Sequence, residues 1–304
     1  MYWIFKENKK GRTKMKNFKG IFPALLTPFD NNDNVNTAQL SKLVEMNIGQ
    51  GVDGFYVAGS TGEAFLLSEE ERRLVYKTVK DAAGDRVTLI AHVGTVSTKQ
   101  AVEYAKYVES IGYDAVSAVA PFYYKFSNAQ VVEHYKTIAD SVSIPLIIYN
   151  IPAFSGVELT LDEIADLLAH ENIIGVKYTS NDYFKLQQIR DRCPDAIIYN
   201  GFDEMMISGL AMGADGGIGS TYNFMADKFI RIRKFWENGD VKAAQELQWQ
   251  ANKIITALCK VGVMAGEKAV LNLLGFDFGV CRKPFGALTD EQIEYLKAEI
   301  LPLL

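Results

Sequence analysis

The chain has 304 residues, of which 48% are hydrophobic and 23% are charged, so it can bury at least one large core. The total net charge is −5, but residues 1–20 carry seven basic side chains against one acidic one, which leaves −11 on the rest. An acidic body argues against nucleic acid as a partner, and no apolar run approaches the roughly 18 residues of a membrane span. The three cysteines and three histidines lack the spacing of a disulfide framework or a metal site, so we expect a cytoplasmic protein without a bound metal.

Residues 1–16 are predicted to form a basic, disordered tail. Their apolar start, 1–5, is too short for a signal-peptide core, and no small-residue cleavage site follows it. The ordered pattern begins just after Met15, so we expect Met15 to be the natural start. N-terminal sequencing of the native protein tests this, because a peptide beginning at Met1 would contradict it.

From Gly20 onward, short apolar runs alternate with helical patterns. The predicted strands cover residues 20–27, 53–59, 87–93, 115–120, 145–151, 174–179, 196–201 and 215–220. The predicted helices that follow them cover residues 37–50, 69–83, 97–111, 128–142, 160–170, 182–193, 203–212 and 223–237. Asn36 fits a helix N-cap, and Ser68 with Glu71 fits a capping box.

The strand composition indicates a parallel sheet. The runs are rich in Val, Ile and Ala rather than alternating with polar residues, as is typical of parallel strands buried on both faces. Eight strand–helix units predict an α/β protein with a (β/α)8 TIM barrel over residues 17–237. A doubly wound sheet is the alternative, but such sheets usually have an antiparallel edge or a glycine fingerprint at the switch point.

The remaining residues, 238–304, are predicted to form three additional C-terminal helices, over about 240–261, 264–274 and 289–303. Asp240 and Thr289 are suitable N-caps. The apolar faces of these helices have to cover either the barrel wall or a neighbouring subunit. We expect this extension to pack on the barrel as part of one structural unit.

Lys177 lies in the sixth predicted strand, where a lysine is unusual. Burying an ammonium ion is costly, so burial favours the neutral amine, which is the form that attacks a ketone to make a Schiff base. The alternative is a lysine that extends from the strand end to pair with a carboxylate. Lys177 by itself does not decide between them.

Other polar residues follow the strand ends, where barrels of this kind place their active sites. The turn from Gly59 to Glu63 can form a backbone nest for a carboxylate, or a plain strand-to-helix connection. Tyr149 can relay a proton or fill the core, and Asp203 with Glu204 can bind hydroxyl groups or complement a helix dipole. Glycines 217 and 219 lack the third glycine of a dinucleotide loop, so close strand packing is favoured.

Several segments together resemble one known family. They are Gly59-Ser-Thr-Gly-Glu63, Tyr149-Asn-Ile-Pro152, Gly175-Val-Lys177, Asn200-Gly-Phe-Asp-Glu204, Gly216-Gly-Ile-Gly-Ser-Thr-Tyr222 and Cys281-Arg-Lys-Pro-Phe285. From about Phe18 to the C-terminus the chain is similar to the dihydrodipicolinate synthase / N-acetylneuraminate lyase family of pyruvate-dependent class I aldolases. In its lyase branch, the resemblance implies reversible cleavage of N-acetylneuraminate, a sialic acid, to pyruvate and N-acetylmannosamine.

The resemblance also implies roles for individual residues. Lys177 would form the Schiff base, and Tyr149 would shuttle the proton of the C4 hydroxyl. Ser60 and Thr61 would hold the substrate carboxylate. The sugar hydroxyls would be held by Thr179, Gly201, Asp203, Glu204 and Ser220. Tyr123 would support Tyr149 of the neighbouring chain in a homotetramer, and no cofactor or metal is implied.

Two departures from related sequences bear on specificity. Phe154 stands where dihydrodipicolinate synthases carry an arginine that clamps a second carboxylate, and a phenyl ring cannot form that bidentate pair. Ala120 stands before Pro121 where lyases of the family carry threonine, which affects substrate positioning rather than chemistry. A catalytically silent barrel that senses sialic acid or pyruvate is the alternative function, although a sensor has no need of both Lys177 and Tyr149.

Overall fold

The computed structural model describes residues 16–304, so the predicted tail, apart from Lys16, and the proposed start at Met15 lie outside the described residues. Eight strands form a parallel barrel in this part of the chain. They are β1 (Gly20–Pro23), β2 (Gly54–Val57), β3 (Thr88–His92), β4 (Ala115–Val119), β5 (Leu146–Asn150), β6 (Ile173–Tyr178), β7 (Ile197–Asn200) and β8 (Gly216–Gly219). Each of β2 to β8 pairs with its neighbour in sequence, and β1 pairs with β8.

The ring is completed between β1 and β2. A parallel bridge joins Ala24 to Tyr56, and the Leu25 N–H donates to the Tyr56 carbonyl at 2.9 Å. The TIM barrel predicted from the sequence is therefore confirmed. The first predicted strand, 20–27, is too long, because the Leu26 N–H donates to the Asn223 side chain at 3.2 Å instead of continuing the ladder.

Helices surround the barrel in the predicted order. They are α1 (Thr37–Gln50), α2 (Glu69–Ala83), α3 (Thr98–Ser110), α4 (Asn128–Asp140), α5 (Pro152–Ser155), α6 (Leu161–Leu168), α7 (Tyr183–Arg192), α8 (Met206–Ala211) and α9 (Tyr222–Glu237). The short α5 was not predicted. The capping box of Ser68 and Glu71 is present, and Asn36 caps α1 as expected.

The C-terminal residues form α10 (Val241–Val261), α11 (Val263–Leu273) and α12 (Asp290–Ile300). Helix α10 packs against α9, α8, α11 and α12. It also contacts the short 3₁₀ turn Asp203–Met205 that follows β7, which brings the extension to the end of the barrel where the strands finish. No helix within residues 16–304 is both long enough and apolar enough to cross a membrane.

The core has two parts, as expected for a barrel buried on both faces. The larger part lies between the strands and the helices. The smaller part fills the barrel interior with mostly large side chains, which include Phe22, Tyr56, Ile147, Tyr149 and Tyr199. Aromatic residues therefore line the space that the predicted Schiff-base lysine enters.

Candidate active site

Lys177 and Tyr149 are register partners on adjacent strands β6 and β5. Lys177 is only 5% exposed, and its Nζ lies 4.1 Å from the centroid of the Tyr149 ring and 4.6 Å from that of Tyr56. Within residues 16–304 no carboxylate oxygen lies within 4.0 Å of this nitrogen. The alternative of a lysine paired with a carboxylate is therefore not seen in this part of the chain. The amine is held between aromatic faces inside the barrel mouth.

Aromatic contacts fix the Tyr149 ring. Tyr56 and His92 each pack edge-on against it with centroids 5.9 Å apart, and Tyr56 donates to Ser117 Oγ at 3.1 Å. Burial, with the nearby Arg72 guanidinium, holds the pKa of His92 well below its usual range. A neutral imidazole therefore stands next to Tyr149, and it adds no positive charge near the lysine.

The turn from Gly59 to Glu63, the predicted anion nest, keeps two backbone N–H groups available for a ligand. Glu63 adopts the left-handed conformation, with φ of 55°, and the N–H groups of Gly62 and Glu63 donate back to carbonyls of the same turn. The N–H groups of Ser60 and Thr61 donate no hydrogen bond within the described residues. Two free N–H groups beside two hydroxyls suit a carboxylate.

A buried ion pair anchors this nest. Lys268 Nζ on α11 lies 2.6 Å from Glu63 Oε1, and the two side chains are 1% and 0% exposed. The other Glu63 oxygen accepts from the Arg282 N–H at 2.7 Å. Burial lowers the pKa of Lys268, and the Glu63 carboxylate opposes this shift. Two contacts from the C-terminal extension therefore hold the Glu63 end of this turn.

The predicted hydroxyl-binding side is built around Asp203, which is buried after β7. Its Oδ2 accepts from the N–H and the hydroxyl of Thr221 at 2.9 and 2.6 Å. Burial raises the pKa of Asp203 to about 6. Gly219 leaves room for this carboxylate, because a Cβ there would lie 1.8 Å from Asp203 Oδ1.

Thr179 and Gly201 lie next to each other at the ends of β6 and β7. A Cβ on Gly201 would lie 1.9 Å from Thr179 Oγ1, so only glycine leaves this hydroxyl in place. Three buried oxygens on this side of the barrel have no partner in the described part of the chain: Thr179 Oγ1, Asp203 Oδ1 and Glu267 Oε2. Unpaired buried polar atoms are costly, so a ligand that hydrogen-bonds to them would stabilise the site.

The remaining predicted residues are less buried than this group. The Glu204 side chain is exposed, while its carbonyl accepts from Asn252 at 3.1 Å. Tyr123, after β4, is 86% exposed, with φ of 77° and its ring 5.0 Å from that of Tyr124. Ser220 is half-buried, and its hydroxyl is hydrogen-bonded to Glu267.

Sequence reasoning missed the polar residues of the C-terminal extension. Gln248 Nε2 on α10 donates to the Asp203 carbonyl at 3.0 Å, and the Glu267 carboxyl on α11 shares a hydrogen bond of 2.6 Å with the Ser220 hydroxyl. The adjacent acidic and basic residues Glu267 and Lys268 interrupt the apolar pattern of α11. An acidic and a basic residue side by side in a mostly apolar helix were the available signal.

Comparisons with known proteins identify the family. Residues 17–301 match the model of the dihydrodipicolinate synthetase family. The chain belongs to this family. The N-acetylneuraminate lyase of Rhizobium meliloti (strain 1021) is 46% identical over 286 residues, which cover 94% of this chain and 95% of that protein.

Solved structures of similar proteins support the same family. CdNal from Clostridium difficile in complex with mannosamine has a TM-score of 0.93 at 40% identity, covering 95% of this chain and 100% of that chain. N-acetylneuraminate lyase from Fusobacterium nucleatum complexed with pyruvate has a TM-score of 0.90 at 38% identity. The match covers 94% of this chain and 97% of that chain. The family resemblance predicted from the motifs is confirmed.

Proposed function

We propose that this protein is a Schiff-base aldolase that cleaves N-acetylneuraminate reversibly to pyruvate and N-acetyl-D-mannosamine, as a step of sialic acid breakdown. The observation that carries the proposal is the buried Lys177 beside Tyr149, with its nitrogen 4.1 Å from the tyrosine ring. The names of the relatives, and the mannosamine and pyruvate in two of their structures, support the same substrates.

The reaction begins when the Lys177 amine attacks the C2 ketone of the open-chain sugar acid and water leaves, which forms the iminium. The positive nitrogen then acts as the electron sink for the bond between C3 and C4. Breaking that bond yields the N-acetylmannosamine aldehyde and an enamine on the lysine. Protonation of the enamine at C3 and hydrolysis release pyruvate and regenerate the amine.

Tyr149 is the proposed proton carrier. The phenol can give its proton to the hydroxyl that leaves as water when the iminium forms. The resulting phenolate can then accept the proton of the C4 hydroxyl as C3–C4 cleaves and the aldehyde forms. The edge-on contacts with Tyr56 and His92 keep the ring in one orientation, which is the positioning that such proton transfer requires.

Substrate binding is assigned to the two sides of the mouth. Ser60 and Thr61 are proposed to hold the carboxylate through their free N–H groups and hydroxyls. The sugar hydroxyls are assigned to Thr179, Gly201, Asp203, Glu204 and Ser220. Phe154 is 75% exposed and offers no cation for a second carboxylate, which favours a sugar acid over an amino-acid semialdehyde.

The test is pyruvate release from N-acetylneuraminate, with N-acetylmannosamine identified as the second product. Borohydride reduction in the presence of pyruvate should add a covalent label to Lys177. Lys177→Ala should abolish both turnover and labelling while circular dichroism remains that of the folded protein. Lys99→Ala is the control and should retain both, because the Lys99 side chain is 88% exposed. Turnover by Lys177→Ala would contradict the imine mechanism, and tight binding of sugar acid without turnover would favour the sensor.

We also propose that the protein is a cytoplasmic homotetramer in which Tyr123 supports the partner subunit's Tyr149. The exposed pair Tyr123 and Tyr124 supports a contact at this place, since large exposed aromatic patches mark interaction surfaces. Light scattering after gel filtration should give four times the chain mass of 33.9 kDa. A monomer with full activity would contradict the assembly, and fractionation of the native cells tests the location.

A further inference from the structure

Glu267 lies on the side of α11 that faces the end of β8, and its side chain is fully buried. Its Oε1 is 2.6 Å from Ser220 Oγ, and its Oε2 has no partner within residues 16–304. Burial raises the pKa of Glu267 from 4.5 to about 8; the Asp203 carboxyl contributes in the same direction and the Ser220 hydrogen bond opposes it. The carboxyl is therefore protonated at neutral pH.

No cation compensates this acid in the described part of the chain. The neighbouring Lys268 pairs with Glu63 instead, at 2.6 Å. The other titratable groups that interact with Glu267 are Asp203 after β7, Cys259 on α10 and Cys281 after α11. All three are acids, so none of them would stabilise a second negative charge here.

The two protonation states of a carboxyl differ in what they allow a neighbouring hydroxyl to do. An ionised carboxylate only accepts, so the Ser220 O–H has to donate to it, and Ser220 can then only accept from a ligand. A protonated carboxyl can donate to Ser220, which leaves the Ser220 O–H free to donate to a ligand.

We infer that Glu267 is a positioning residue that sets the hydrogen-bond direction of Ser220 toward a hydroxyl or carbonyl group of the substrate. This inference rests on the proposed function, because it requires Ser220 to contact the sugar. Ionising Glu267 would remove the free donor of Ser220 and place a second negative charge near Asp203. Both effects weaken binding of an anionic sugar acid.

The experiment measures KM and kcat for N-acetylneuraminate between pH 6.5 and 9.5. In the wild type, KM should rise at least about fivefold above pH 8, while kcat changes less because Glu267 does not touch the reacting carbons. Glu267→Gln, which cannot ionise, should have a KM that is constant over this range. Glu267→Leu should have a KM that is also independent of pH but raised about tenfold, the effect of one hydrogen bond.

Glu299→Gln is the matched control, since Glu299 is an exposed glutamate on α12. It should retain the wild-type pH profile. A Glu267→Gln profile identical to that of the wild type would overturn the inference while leaving the proposed function intact. Absence of N-acetylneuraminate cleavage by the wild type would overturn the proposed function and the inference together. If Glu267→Leu fails to fold, the pH profile of KM for Glu267→Gln still tests the inference.

Discussion

The buried pair of Glu63 and Lys268 allows a quantitative prediction about Lys268→Met. The two charges are 2.6 Å apart and almost wholly shielded from water. Methionine fills a similar volume but leaves the Glu63 carboxylate without its cation. Breaking such a pair by removing one partner costs about 3–5 kcal/mol. At roughly 2–4 °C per kcal/mol for chains of this size, the melting temperature should fall by about 10 °C.

Thermal unfolding followed by circular dichroism measures this fall. The double variant Glu63→Gln with Lys268→Met removes both charges and should recover at least about 2 kcal/mol of the loss, because replacing a buried pair by neutral groups is often nearly neutral. The control is Lys77→Met, which breaks the Lys77–Asp81 pair of side chains 60% and 62% exposed. Its stability should change by less than about 0.5 kcal/mol. Equal melting temperatures for Lys268→Met and Lys77→Met would refute the reasoning.

The same substitution should affect ligand binding. Glu63 ends the turn that carries Ser60 and Thr61, so loss of the Lys268 anchor should let the nest move. We expect Lys268→Met to need at least about tenfold more pyruvate for half-maximal borohydride labelling of Lys177, because misplaced donors lose hydrogen-bond energy. If Lys268→Met is destabilised but its labelling depends on pyruvate concentration as in the wild type, the Glu63–Lys268 pair contributes to the fold alone.

Three further substitutions test the site. Tyr149→Phe should lower kcat about 10²-fold or more and change KM less, as loss of a general acid-base does; an unchanged kcat would remove Tyr149 from the proposed role. Gly201→Ala should raise KM with little change in circular dichroism, because its Cβ would lie 1.9 Å from Thr179 Oγ1 and displace that hydroxyl. The pKa of Asp203 is raised to about 6, so the wild-type KM should rise as pH falls through 6 and the carboxylate is protonated. Asp203→Asn should lack this pH dependence, and a persistent rise would assign it to another group.

The barrel could be predicted from the sequence because each of its elements carries a local signal. Apolar runs indicate buried parallel strands. Ser68 and Glu71, three residues apart, form a capping box that indicates the start of a helix. Lys177 and Tyr149 could be found because a barrel brings all strand ends to one mouth. Placing these two residues at the mouth needed only the strand order, whereas the family came from the resemblance of the motifs.

The contacts made by the C-terminal extension could not be predicted in this way. Ser220 and Glu267 are 47 residues apart, and the Arg282 N–H is 219 residues from the Glu63 oxygen that accepts it. No periodicity or spacing rule joins residues so far apart. The extension was correctly predicted to be helical, but the helical pattern did not indicate which polar side chains reach the site.

Helix α11 connects the two sides of the proposed substrate site. Two consecutive residues, Glu267 and Lys268, contact Ser220 on the hydroxyl side and Glu63 under the carboxylate nest. A carboxylate and a polyol on one substrate must be held at a fixed separation, and a helix is stiffer than the loops that carry the binding groups. The separation of the two sides is therefore set by α11 as well as by the barrel strands. It follows that substitutions along α11 should change which sugar acids are accepted without altering the Schiff-base chemistry at Lys177.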